Sequence, residues 1–130
     1  MKLIQTQGKR KRAIARATLR DGKGKVLVNG QFFENFGTEN LRLRISEPMI
    51  LAAETMKTVD LSVISNGGGA NGQADAIRLA IARALMQHDK KLKKVFDEYD
   101  RLLLVADVRR KETRKPNDSK ARAKRQKSYR

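Results

Sequence analysis

Arg12-Ala13-Ile14-Ala15-Arg16-Ala17-Thr18-Leu19-Arg20 runs into Asp21-Gly22-Lys23-Gly24 and on to Lys25-Val26-Leu27-Val28-Asn29-Gly30. The first nine residues alternate. Ala13, Ala15, Ala17 and Leu19 share one side of a strand, and Arg12, Ile14, Arg16, Thr18 and Arg20 share the other. The arginines also recur every four residues, which an alanine-rich helix would produce. The turn signal at 21–24 and the short β-rich run behind it favour strands. The stretch predicts a hairpin of 12–20 with 25–28, three arginines along its exposed face, ended by Asn29-Gly30.

Working outward, Phe32, Phe33 and Phe36 cluster as core candidates before Gly37. Ser46 suits the N-cap of a helix with Pro48 in its first turn and Ile50, Leu51, Ala53 and Met56 behind it. Val59, Leu61 and Val63 alternate with Asp60, Ser62 and Ile64, a strand that enters a glycine-rich turn. Past the turn, Ala74, Ile77, Ile81, Ala84 and Leu85 recur at helical spacing, with Asp75, Arg78 and Arg83 off that face and His88 closing it. A second helix turns Leu92, Val95, Phe96 and Tyr99 inward, and Lys93–Asp97 and Lys94–Glu98 support its outside. Leu102 to Val105 reads as the last strand. The fold class is α/β: a small mixed sheet packed against helices.

The chain has 130 residues, enough for one domain of about 100 residues with appendages. Its net charge is +16. Residues 1–20 hold seven cations and no acid, residues 21–108 hold twelve of each sign, and residues 109–130 have a net charge of +9. A neutral body with a basic strip and a basic tail is the footprint of a nucleic-acid binder. We therefore divide the chain into a globular body, 1–108, and an extended basic tail, 109–130. Thr113 to Arg130 has too few apolar residues for a core and predicts disorder in isolation. Extended, it could reach roughly 60 Å. With no cysteine and one histidine, thiolate chemistry and multi-histidine zinc sites are excluded. No apolar run reaches membrane-spanning length, and the polar start Lys2-Leu3-Ile4-Gln5 resembles no signal peptide, so a cytoplasmic location is expected.

Gly67-Gly68-Gly69-Ala70-Asn71-Gly72-Gln73 joins a strand to a helix. Glycines there admit positive φ and let a phosphate approach helix N-terminal amides. A nucleotide P-loop is excluded because no Gly-Lys-Ser/Thr follows. A small-molecule kinase would need a substrate domain and a catalytic base, and neither is evident. A free-standing nucleic-acid regulator would show a recognition helix or a dimer seam. His88 reads as a packed or capping residue. No catalytic residue, metal or cofactor is expected.

The same glycines, with Gly72-Gln73, Ala76, Ala80, Ala82, Arg83, Ala84 and Leu85, have the spacing of the ninth small-subunit ribosomal protein family, S-nine. Gly8-Lys9-Arg10-Lys11 with Ala13 and Ala15, then Gly22-Lys23-Gly24-Lys25 into Val28-Asn29-Gly30, are similar to its N-terminal hairpin. Asp107, Arg109 and Glu112 match the start of its tail, and Lys120 to Arg130 its end. The resemblance spans essentially the whole chain, and Tyr129, where bacterial relatives have Lys, points to the archaeal–eukaryotic branch.

The resemblance implies a superfold shared with small-molecule kinases, with a left-handed βαβ crossover against the usual rule. It implies rRNA binding in the head of the small subunit beside neighbouring ribosomal proteins, and a tail that reaches peptidyl-site tRNA. Recognition would be by phosphate and shape, since A-form RNA hides its major groove. The rRNA candidates on the body are Lys9, Arg10, Lys11, Arg12 and Arg16, with Gly67, Gly68 and Gly69 as points of backbone approach. Arg109, which starts the tail, and Arg122, Lys124, Arg125 and Lys127 would neutralise rRNA phosphates. Arg130 would meet tRNA, and Tyr129 would either stack on a base or act as a spacer.

Overall fold

The structure, a computed structural model, describes residues 3–118, 120–126 and 128. Five strands form one sheet: β1 (Ile4–Arg10), β2 (Ala13–Asp21), β3 (Val26–Val28), β4 (Gln31–Phe32) and β5 (Val59–Asn66). Their order is β1-β2-β5-β3-β4, and only the β3–β5 pair is parallel. The helices are α1 (Glu39–Leu51), α2 (Ala53–Met56), α3 (Ala70–His88) and α4 (Leu92–Tyr99). The mixed α/β class is as expected.

The alternation in β2 reads as predicted, since Ala13, Ala15, Ala17 and Leu19 are buried. Its partners differ from the expectation. β2 does not pair with β3; it forms its hairpin with β1 through the two-residue turn Lys11-Arg12, and β5 lies between β2 and β3. The segment 22–25 is therefore a connection that crosses the end of β5. Gly22 and Gly24 donate to the Thr58 and Val59 carbonyls, and the Lys23, Gly24 and Lys25 amides converge on Asp60 Oδ1 at 2.9–3.1 Å. Asn29-Gly30 closes a two-residue hairpin of β3 with β4, both residues at positive φ.

α3 covers β1 and β2 on the inner face, with α1 and α4 on its other flank. Alanines dominate its buried surface, so the sheet comes close. A Cβ on Gly8 would collide with the Ala76 carbonyl, and Thr6 Oγ1 donates to the Ala80 carbonyl at 2.7 Å. Arg78, off the apolar stripe, is nevertheless buried because it donates to both Glu47 and Asp100.

Other expectations need correction. α1 begins at Glu39, not Ser46, because the stripe Leu41, Ile45, Pro48 carries the helix through; Ser46 instead donates to the Leu43 carbonyl. Residues 101–103 form a 3-10 turn capped by the Asp100 carboxylate, not a strand, and only Leu103 is buried. In α4, Leu92 and Phe96 face inward while Val95 and Tyr99 are exposed, because one line of contact is all that its eight residues make. The Lys93–Asp97 and Lys94–Glu98 pairs do not form. Phe33 and Phe36 pack half-buried on the core, but Phe32 is exposed, with Lys25 Nζ 5.6 Å from its ring centre. His88 is exposed in the last turn of α3 and is not part of the packed core.

Candidate nucleic-acid interface

The β1–β2 turn, the glycine turn and the start of the tail meet at one end of the sheet. They enclose a groove of about 1250 Å³ lined by Arg10, Lys11, Arg12, residues 68–72 and residues 109–114. Two basic segments far apart in sequence, 10–12 and 109–114, are thus brought around the uncharged glycine turn at the N-terminus of α3. The helix begins at Ala70, and residues 70–72 of its first turn line the groove together with the cations.

Each wall has a local cause. Lys11 sits at φ +53° at the tip of a two-residue turn where Gly or Asn would be relaxed. The sequence places two cations there at some cost in backbone strain. Gly68, at φ +64°, puts its missing Cβ 3.1 Å from the Ala13 amide nitrogen. The glycine turn is thereby pressed against the start of β2. A polar chain holds it there: Ser65 N–H donates to Asn29 Oδ1 at 2.8 Å, Ser65 Oγ to Gln73 Oε1 at 3.3 Å, and Gln73 Nε2 to the Gly67 carbonyl at 3.1 Å. Gly69, by contrast, has nothing within 4 Å of a Cβ.

The tail leaves the body under electrostatic control. Asp107 lies 2.8 Å from Arg10 Nη1, and Arg109 donates to both its oxygens at 2.7–3.1 Å. These contacts, the Arg109 side chain first and its amide next, hold the Asp107 carboxyl far below its ordinary range. Arg10 also meets Asp75 at 3.5 Å. Buried Arg10 Nη1 has the distance but not the alignment of a hydrogen bond, so the Arg10–Asp107 contact is an ion pair held by charge. Farther out, Arg122 donates to Glu112, holding that carboxyl below its usual value.

The predicted site residues therefore separate. Lys11, Arg12 and Gly69 face the groove freely, whereas Arg10, Arg109 and Arg122 have guanidinium groups engaged with carboxylates. Gly67 and Gly68 press on the backbone of Arg12 and Ala13. Lys9 lies in a small depression beside Arg10, Leu102 and Asp107. Arg16 stands apart on the outer sheet face. Lys124 and Arg125 are exposed, and Lys127, Tyr129 and Arg130 lie outside the described residues. Sequence reasoning passed over Arg110 and Lys111, which line the groove without an ion pair among the described residues; their adjacency to Arg109 was the available signal. It gave no role to Arg83, which donates to the Gln7 and Leu104 carbonyls and so ties the path toward the tail to β1.

Cations on one loop and a chain extension, gathered around an open helix start on an α/β body, form a surface suited to a polyanion. The chain belongs to the ribosomal protein S9/S16 family, whose profile matches residues 8–130. Members of that family are structural, non-enzymatic components. The chain is 47% identical over its whole length to the full-length small ribosomal subunit protein uS9 of Methanothrix thermoacetophila. It is 48% identical, again with full coverage of both chains, to the uS9 protein of Thermoplasma volcanium. The Thermoplasma acidophilum uS9 protein is also 48% identical, over 96% of this chain and 98% of its own. All three are archaeal, in keeping with the branch read from the sequence.

Proposed function

We propose that this chain is a structural constituent of the small ribosomal subunit that holds rRNA in the groove between Lys11-Arg12, the glycine turn and residues 109–114. The observation that carries the reading is the convergence of two basic segments, 10–12 and 109–114, on one open glycine turn. Lys11, Arg12, Arg110 and Lys111 neutralise phosphates, and Gly69 lets a sugar–phosphate chain reach the first amides of α3. Arg10 and Arg109 act one step removed, through Asp107, by setting the direction in which the tail departs.

Body 1–108 and tail 109–130 divide the work. The body docks in the subunit head beside neighbouring ribosomal proteins. Arg122, Lys124, Arg125 and Lys127 of the tail follow rRNA, and Arg130, with Tyr129, reaches the peptidyl-site tRNA. The family resemblance also carries a left-handed crossover for the β3–α1–α2–β5 connection, which joins two parallel neighbours. Full-length resemblance to three uS9 proteins supports this reading.

The test is sedimentation. Wild-type protein should travel with the small subunit in a sucrose gradient, and the Lys11→Gln/Arg12→Gln/Arg110→Gln/Lys111→Gln variant should shift toward the free fractions. If the variant enters subunits at the wild-type level, the groove is not the rRNA site.

A further inference from the structure

The sheet has a second face that no helix covers. Gln5, Gln7, Arg16, Thr18, Arg20 and Ser62 alternate outward from β1, β2 and β5, and line two shallow depressions of about 320 and 400 Å³. We propose that this bare face is a second rRNA-binding surface, separate from the groove, which takes the ribose–phosphate edge of an RNA helix. It rests on the RNA-binding reading above and adds a surface and residues to it.

Charge selects the partner. Residues 3–28 carry eight cations against Asp21 alone, whereas residues 29–58, with α1 and α2, carry four glutamates and three cations. On the face itself Arg16 and Arg20 make no ion pair among the described residues. Asp60 lies opposite Arg20 in the register, but its Oδ1 is occupied by the three amides of Lys23, Gly24 and Lys25. The remaining polar groups are the Lys25 ammonium, amides and hydroxyls; the amides and hydroxyls suit 2′-hydroxyls in the wide, shallow minor groove of A-form RNA. Ile14 and Ile64 are interspersed with the polar groups, and the adjacent pair Leu27 and Phe32 lies at the β3–β4 edge of the sheet, unlike the apolar centre of a protein interface. Four residues of strand separate Arg16 from Arg20 by about 13 Å, so each meets its own phosphate.

Four full-length proteins decide the matter when titrated with deproteinised small-subunit rRNA across a salt series: wild type, Arg16→Gln/Arg20→Gln, Ser62→Asp and the quadruple groove variant. The double variant should bind about tenfold more weakly, and its slope of log K against log salt should be shallower by roughly 1.4–1.8, two phosphates' worth. Hydroxyl-radical footprints should show it losing protection at nucleotides that the groove variant still protects. Ser62→Asp removes no packing atom and should reproduce the loss, so a fold defect in the double variant would leave the question answerable. If both face variants bind like wild type while the groove variant is weakened, this proposal fails and the groove reading stands. If neither site matters, the RNA-binding reading fails and takes this proposal with it. Normal rRNA binding with failed entry into subunits would make the face a protein contact and overturn the assignment.

Discussion

Gly68 holds φ at +64° with the Ala13 amide nitrogen 3.1 Å from where a Cβ would stand, whereas Gly69 has φ −96° and open space there. Gly68→Ala should therefore lose about 1–2 kcal/mol in urea unfolding, from left-handed strain alone. Gly69 is the N-cap of α3 and offers no side-chain acceptor, so Gly69→Ser should hold or gain a few tenths of a kcal/mol. If rRNA backbone approaches through Gly69, that more stable variant should bind rRNA more weakly, which separates fold from function in one substitution. Unchanged rRNA affinity in Gly69→Ser would limit the turn to a structural role. In the sequence the three glycines are indistinguishable, because their demands come from Arg12 and Ala13, which meet them only in the fold. The arginines are equally ambiguous there. Arg10 and Arg12 read alike, but Asp75 and Asp107 reach Arg10 from distant parts of the chain.

Among the elements, the faces of β2, β5 and α3 were legible, that of α4 only in half, and strand partners were not. Alternation assigned the buried sides of β2 and β5, and helical spacing found α3, because those patterns record solvent exposure residue by residue. The insertion of β5 between β2 and β3 leaves no local trace, so Asp21-Gly22-Lys23-Gly24 reads as a hairpin turn. What replaces the hairpin is a loop wrapped on the Asp60 carboxylate, whose acidity is strengthened first by the Lys25 amide and then by the Lys23 amide. A carboxyl with a lowered folded pKa stabilises the fold above its unfolded value and loses that contribution as pH falls through the folded one. Asp60→Ala should thus lower the thermal midpoint at pH 7. The gap to wild type should narrow as pH drops below 3.8 and close only beneath the lowered value. A pH-independent gap in calorimetry would assign the loss to packing of the loop instead. The run 102–105 failed for a related reason: four apolar residues suit a strand or a turn, and only the Asp100 cap and the single buried Leu103 decide between them.

For the whole molecule, the segregation of charge is legible from the sequence, while the groove built from its two basic ends is not, since it needs the β1–β2 turn and residue 109 to meet in space. That meeting bears on how the tail can be removed. The fully buried core ends at Leu103, with Leu104 half-buried against it, and Asp107 ties the chain to β1 through Arg10. Past Glu112 the structure adds exposed contacts such as Arg122 on Glu112, which solvent screens and which add little stability. Truncation after Glu112 should therefore leave a folded body whose unfolding free energy lies within about 1 kcal/mol of the full chain. It keeps Arg109, Arg110 and Lys111 in the groove but removes eight cations and one acid. Were all eight bound to phosphates, the salt slope would fall by about 7, so a fall of several units is expected with residual binding through the groove. A truncated body that unfolds would make the tail part of the core. A truncated body with an unchanged salt slope would mean the tail touches no rRNA, leaving the groove and the bare sheet face to hold the chain on their own.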